Sequence, residues 1–221
     1  MCGRYSMFSS IDVVQDRFNA EALEKWPPHY NAAPSQRLPV ILNDNPTAIQ
    51  LAEWGFRPKW LEGRAGPINA RGETIHEKPM FRSAVRRHRC LILADSFFEW
   101  DRRTKPRTPW RILLKSEKPF AFAGIWEPPV SAAAHPSFAI ITTRPNGKVA
   151  LIHDRMPVIL DRSVEKEWLK PSSSVDFLRA LLQPLAADAM ALYPVSPRVN
   201  SVGADDADLL TPVHVLVDPN R

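Results

Sequence analysis

Proline sets the first limit on this chain. Twenty-two of its 221 residues are proline and only eight are glycine, and the prolines are scattered throughout. A proline lacks a backbone N–H and fixes φ, so it stops a helix and is pushed to the margins of a sheet. A chain punctuated this often folds as many short elements joined by turns rather than as long helices. No internal repeat, low-complexity tract or linker interrupts it, so one domain over residues 1–221 is expected.

Between the prolines lie short runs rich in β-branched and aromatic residues. Strands are predicted over 38–42, 49–54, 90–94, 97–100, 110–114, 120–125, 138–143 and 156–160. Ser10 is placed to cap a first helix whose apolar face is Ile11, Val14 and Phe18, in a region closed by Pro27 and Pro28. Further helices are predicted over 73–78, 79–87, 164–169 and 175–182, the last two with Ser163 and either Ser173 or Ser174 as caps. Helices that do not alternate regularly with strands argue for an α+β fold on antiparallel sheet. Eight or more short strands suggest curled, barrel-like sheets with the helices flanking them.

Composition excludes several classes. Hydrophobic residues make up 44%, enough for a real core, and no apolar run approaches the roughly 18 residues of a membrane span. The first residues lack the charged-then-apolar layout of a signal peptide. Two cysteines, Cys2 and Cys90, do not make a disulfide framework and fit a reducing compartment, so a cytoplasmic protein is expected. Cys90 opens an apolar run and reads as a buried structural thiol. Six scattered histidines without paired Cys/His spacing offer no metal site. There is no phosphate-binding glycine loop or dinucleotide fingerprint, so no cofactor is expected. A Gly-x-Ser-x-Gly elbow is also missing. The net charge of +5 permits a polyanionic partner. Arg82, Arg86, Arg87, His88 and Arg89 form one basic cluster, and Arg102, Arg103, Lys105 and Arg107 another. Such clusters are ordinarily solvated faces, and gain meaning only if they flank one cleft.

The chain opens Met1-Cys2-Gly3-Arg4-Tyr5. Small second residues allow removal of the initiator methionine, which would leave an amine and a thiol on adjacent carbons. Their ordinary pKa values, about 7.7–8.0 and 8.5, leave both a usable deprotonated fraction near neutrality. Such a pair condenses with one aldehyde, the amine forming a Schiff base and the thiol closing a five-membered thiazolidine. Three polar residues stand where chemistry can use them. Glu99 ends an otherwise apolar strand, where it either is desolvated with a raised pKa or turns to water or a nearby arginine. His153, between two predicted strands, is either a proton shuttle or a hydrogen-bonded structural residue. Asn69 either caps the helix predicted after it or holds a reacting group, and Arg71 beside it can reach a phosphate.

Four blocks occur in order along most of the chain: Met1–Tyr5; Trp54-Gly55-Phe56-Arg57-Pro58-Lys59-Trp60 with Asn69-Ala70-Arg71-Gly72-Glu73-Thr74; Phe98-Glu99-Trp100; and His153-Asp154-Arg155-Met156-Pro157. On these blocks the chain resembles the SRAP family, named for "SOS response-associated peptidase". Departures from the family pattern are Ser96-Phe97-Phe98 where Gly-Phe-Tyr is common, Gly72 for a small or polar residue, and Phe56-Arg57 for two aliphatics. The resemblance implies a compact α+β domain around curled antiparallel sheets with a positively charged DNA channel. It implies a protein that removes its own Met1, recognises abasic sites in single-stranded DNA and becomes covalently attached through Cys2. By the same resemblance His153 assists opening of the sugar ring, Glu99 manages protons, and Asn69 orients Cys2 or a sugar oxygen. Arg4, Arg71 and Arg155 are expected to contact phosphates, with Arg82 after them, because a guanidinium clamps phosphate in a bidentate manner. Trp54, Trp60 and Trp100 are expected to offer flat faces to unstacked bases, while Trp110, Trp126 and Trp168 are expected in the core. The partner expected is single-stranded DNA carrying abasic sites, engaged by a monomer, without metal, cofactor or membrane. Two other readings stand beside it: an N-terminal-nucleophile peptidase or amidohydrolase using Cys2, Glu99 and His153, and a non-catalytic single-strand binder in which Cys2 is incidental.

Overall fold

A computed structural model describes residues 2–61, 65–129, 131 and 134–213; Met1 lies outside them. Thirteen strands and four short α-helices are present among these residues. In chain order they are β1 (Tyr5–Met7), α1 (Ile11–Phe18), β2 (Glu21–Ala22), β3 (His29–Ala32), β4 (Arg37–Leu42), β5 (Ala48–Trp54) and β6 (Asn69–Arg71). Next come α2 (Ala84–Arg87), β7 (Arg89–Ala94), β8 (Ser96–Trp100), β9 (Pro109–Leu114), β10 (Phe120–Glu127) and β11 (Ser137–Thr143). The last four are β12 (Met156–Pro157), α3 (Glu165–Leu169), α4 (Val175–Leu181) and β13 (Met190–Pro194).

The strands form two sheets. Five strands in the order β13-β9-β8-β1-β3 make an antiparallel sheet. In the other, β11, β10, β7, β4 and β5 pair in turn, and β5 returns to β11, closing a five-strand barrel. The expected α+β architecture with curled, barrel-like sheets is therefore what the chain adopts. The closing pair β5–β11 is parallel, as are β6 on β11 and β2 on β5, so the antiparallel pattern is broken at the seam. Closure disposes of the edges that an open sheet would expose.

A single residue, Asp95, separates β7 of the barrel from β8 of the open sheet. Its buried carboxylate accepts the N–H groups of Phe8 and Ser9 at 2.6 and 2.9 Å and the Ser9 hydroxyl at 2.5 Å. These bonds fasten the segment after β1 to the corner between sheets. Aromatic rings complete the joint. Tyr5 of β1 lies 5.1 Å from Trp54 of β5 and 5.7 Å from Phe122 of β10, while Phe97 of β8 lies 6.0 Å from Phe122. Edge-on and tilted contacts at these distances are the favoured aromatic geometries. Within the barrel, Gly124 of β10 has no room for a side chain: a Cβ there would lie 2.7 Å from Cys90 Sγ and 2.5 Å from Ile92 Cδ1. Cys90 is thus the buried packing thiol the sequence indicated.

The helices follow their capping chemistry. The Ser10 hydroxyl accepts the Val13 N–H, and α1 ends at Asn19 in the left-handed region. Ser174 caps α4 by accepting the Phe177 N–H at 3.2 Å. Ser163 does not cap α3, because its hydroxyl is turned back on Asp161 Oδ1 at 2.7 Å. Residues 73–78 form successive turns rather than a helix, and only Ala84–Arg87 of 79–87 is helical. Pro79 accounts for the interruption, since the residue before a proline is driven out of the α region.

Candidate active site

Four polar residues singled out by sequence come from four separate places in the chain, and the fold draws them together. Cys2 precedes β1, Asn69 opens β6, Glu99 lies in β8, and His153 follows a 3₁₀ turn at Val149–Leu151. Strand register explains the first step. Tyr5 pairs with Phe97, and the Phe98 N–H donates to the Arg4 carbonyl at 3.0 Å, so the residues before β1 run alongside the Glu99 end of β8. From the barrel side, Asn69 pairs with Ile140 of β11 and its Nδ2 donates to the Cys2 carbonyl at 2.9 Å. Asn69 caps no helix, because none follows it; its other side-chain atom, Oδ1, is buried with no hydrogen-bond partner among the described residues.

Glu99 and His153 meet at the same spot. Glu99 Oε2 lies 3.6 Å from His153 Nε2, and both side chains are almost wholly buried. Alternation along β8 puts Glu99 on the same face as Phe97, so its carboxyl is desolvated. Burial raises its pKa to about 7, the range in which a carboxylate exchanges protons at neutral pH. Burial has the opposite effect on the imidazole, pushing His153 down to about 4 and keeping it neutral. The Cys2 thiol, fully buried, is pushed up by desolvation and next by the nearby Glu99 charge. An acid, a base and a thiol with displaced titrations in one buried place form an arrangement for moving protons.

The expected DNA-contacting residues divide into three groups. Trp60, Asn69 and Arg71 share an open cleft of about 810 Å³, lined also by Pro67, Lys78 and Phe81. Trp60 is 65% exposed there. Arg4 is half-buried and reaches the Asn200 carbonyl at 3.4 Å; Trp100, also half-buried, donates its Nε1–H to Asn200 Oδ1 at 2.7 Å. These two border the Cys2 side of the site.

Trp54 and Arg155 are placed differently from the expectation. Trp54 is 1% exposed, stacks on Phe138 and donates its indole N–H to the Ile68 carbonyl at 3.0 Å. It is a core residue and has no face for a base, because closing the barrel turns it inward. Arg155 is bound to the Glu73 carboxylate at 2.6 and 2.9 Å and to the Thr142 carbonyl at 2.7 Å. Its guanidinium braces the turn after β6 rather than standing open to phosphate. Arg82 is exposed but does not line the cleft. Among the other tryptophans, Trp126 and Trp168 are buried as expected, and Trp110 is half-buried.

Sequence reasoning passed over Arg102 and Asp154. Arg102 Nη2 lies 2.8 Å from His153 Nε2, and Nη1 lies 2.8 Å from Asp154 Oδ2. Arg102 was hidden in a basic cluster that read as a solvated face; its proximity to Glu99 in sequence was the available signal. A second cleft, about 570 Å³, lies between α1 and α3 and holds none of the predicted residues. Among the described residues no cluster of His, Cys, Asp or Glu is suited to a metal ion, and no helix is long and apolar enough to cross a membrane.

The chain is similar to known proteins in sequence and in the arrangement of its strands. The chain is 44% identical over 221 residues to the abasic site processing protein YoaM of Bacillus subtilis, covering 95% of this chain and 97% of that protein. It is 29% identical to the abasic site processing protein HMCES of Rattus norvegicus, over 98% of this chain and 77% of that protein. A crystal structure of a Bacteroides thetaiotaomicron protein, 26% identical, superposes with a TM-score of 0.86 over 96% of this chain and all of that one. Residues 1–202 match the family described as SOS response associated peptidase. The chain belongs to that family, SRAP.

Proposed function

We propose that the protein recognises abasic sites in single-stranded DNA and binds them covalently through Cys2 once Met1 has been removed, shielding the lesion. The observation that carries this reading is the convergence of Cys2, Asn69, Glu99 and His153 at one place beside an arginine-bearing cleft. The names of the relatives, abasic site processing proteins, support the lesion as substrate. The reaction begins with the closed sugar, whose ring must open to expose an aldehyde. Neutral His153 takes the proton from the anomeric hydroxyl as the ring oxygen acquires one from the protonated Glu99 carboxyl. The Cys2 amine then adds to the aldehyde and loses water to give a Schiff base. Glu99, near its titration midpoint at neutral pH, takes the thiol proton as sulfur attacks the imine carbon. The imine nitrogen gains the proton that His153 took up in the first step, and the thiazolidine closes with both residues restored. Asn69 fixes the Cys2 backbone through Nδ2, and its Oδ1, without a partner among the described residues, is available to a sugar hydroxyl. Holding both nucleophiles beside the aldehyde turns rare encounters into local steps.

Single-stranded DNA suits a buried site because a duplex would first have to be unstacked. The peptidase in the family's description fits the Met1–Cys2 bond, with the Cys2 thiol attacking the Met1 carbonyl. The test mixes protein whose mass shows loss of Met1 with a single-stranded oligonucleotide carrying one abasic site, and resolves the products on a denaturing gel. A slow band that disappears in Cys2→Ala is the expected result. No band from the processed protein would sink the reading, and amide hydrolysis in its place would favour a peptidase acting on other chains.

A further inference from the structure

Among the described residues, a cation already engages the working nitrogen of His153. Arg102, in the turn after β8, sets a terminal nitrogen 2.8 Å from His153 Nε2. A guanidinium carries five N–H donors and no acceptor, so Nε2 must be accepting. The proton of the neutral ring then belongs on Nδ1. Two acceptors wait there, the Arg155 carbonyl at 3.1 Å and Asp154 Oδ1 at 3.2 Å. The Arg155 N–H also approaches Nδ1, at 3.0 Å. Arg102 thus opposes a second proton at Nε2, while the Arg155 carbonyl and Asp154 favour the one on Nδ1. Among the described residues the charges bearing on the ring are Glu99 from β8, Arg102 from the turn after it, and Asp154 and Arg155 from the ring's own segment. The Glu99 charge also bears on the Cys2 thiol.

The other end of this contact faces water. The side chains of Arg102 and Asp154 are 46% and 64% exposed, so an anion can reach the guanidinium without entering the core. We propose that Arg102 is a positioning residue that keeps His153 in the Nδ1–H form with Nε2 occupied, and that a backbone phosphate arriving at its exposed head draws the guanidinium away, freeing Nε2 to take a proton beside Glu99. The inference rests on the reading of DNA as partner. A charge-assisted bond to phosphate is stronger than one to a neutral ring, and the movement is short because Arg102 is held at the rim. The consequence is selectivity. An aldehyde on a phosphodiester chain switches His153 on, and a small free aldehyde does not.

The test follows the His153 imidazole by nitrogen-15 NMR in the wild type, Arg102→Gln and Arg102→Lys. In the free wild type Nε2 should give the shift of an unprotonated nitrogen, with a titration midpoint near 4. A saturating lesion-free single strand should raise that midpoint by about one unit or more, towards the ordinary value of about 6.5. In Arg102→Gln the midpoint should be raised already and stay put when DNA is added, with Arg102→Lys between. Reaction with 2-deoxyribose, an aldehyde sugar without phosphate, should quicken several-fold in Arg102→Gln. The proposal is overturned if DNA binds the wild type without moving the midpoint, or if Arg102→Gln titrates like the wild type. If no single strand binds, the DNA reading fails and the phosphate step with it, while the free-state midpoints still decide whether Arg102 sets the state of the ring. Binding and midpoint shifts without any adduct would instead fault only the covalent chemistry.

Discussion

Asn69 donates its side-chain amide to the Cys2 carbonyl across 2.9 Å, so a residue of β6, the strand paired onto β11 of the barrel, fixes the backbone that leads into β1 of the other sheet. The bond acts on position rather than on the protons being moved. Asn69→Ala should slow cross-linking about tenfold to a hundredfold, the scale of a modest misplacement of reacting groups. Affinity for a lesion-free strand should barely change. The lost bond should cost about 1 kcal/mol of stability. Single-turnover rates set beside binding curves check this; an equal fall in both would mean that Asn69 is simply a DNA contact.

Glu99 and His153 give opposite pH dependences to stability. Glu99 is raised from 4.5 to about 7 by burial, so between those values the folded state holds a proton that the unfolded state has lost. Its contribution is full below the unfolded value and falls as pH rises through 7. His153 is lowered from 6.5 to about 4 by burial, so its contribution is full above 6.5 and falls as the solution is acidified through 4. The windows overlap and the two slopes largely cancel in the wild type. Glu99→Gln removes one of them. Its unfolding free energy, measured by urea titration, should drop between pH 6.5 and 4.5 relative to the wild type, by roughly 2 kcal/mol. Parallel curves for the two proteins would show that Glu99 titrates normally.

Trp54 and Trp60 belong to one sequence block but serve different ends. Trp60→Ala should weaken single-strand binding by about 1–3 kcal/mol, the usual worth of a base stacked on an aromatic ring, with little loss of stability. Trp54→Ala should cost about 3–5 kcal/mol of stability, as removal of a buried aromatic does. Fluorescence-anisotropy titrations and thermal unfolding separate the two. Strong binding by Trp60→Ala would remove that ring from the interface.

The division between Trp54 and Trp60 also shows where sequence reasoning stops. Strands such as β4, β7 and β11 were legible because their residues favour sheet and are buried almost throughout, which a continuous apolar run between turn residues signals. Strands β1 and β6 were not: each has three residues, too few for a period, and each is held by partners distant in sequence. Glu99 was legible as a polar residue inside an apolar strand. Its partnership with His153, and the binding of Arg155 to Glu73, depend on long-range packing that no local pattern encodes. Turns replaced the helix expected over 73–78 because Pro79 and the Arg155–Glu73 ion pair outweigh local helix preference.

Arg71 and Arg155 separate a phosphate contact from a brace. Arg71 is exposed at the end of β6 and lines the cleft with Trp60, so its charge is open to a strand lying there. Neutralising one phosphate on single-stranded DNA contributes about 0.7 to the slope of log K against log salt. Arg71→Gln should therefore lower that slope by about this amount and leave thermal stability within about 0.5 kcal/mol. Arg155 is taken up by Glu73 and Thr142 on its guanidinium side, and its main chain holds His153 Nδ1. Arg155→Gln should leave the salt slope unchanged and cost about 1–3 kcal/mol of stability, because Glu73 and the Thr142 carbonyl lose a charged partner. Cross-linking should slow as well, since the loosened main chain no longer orients the His153 ring. A reduced salt slope in Arg155→Gln would show that DNA pulls this arginine away from Glu73 on binding.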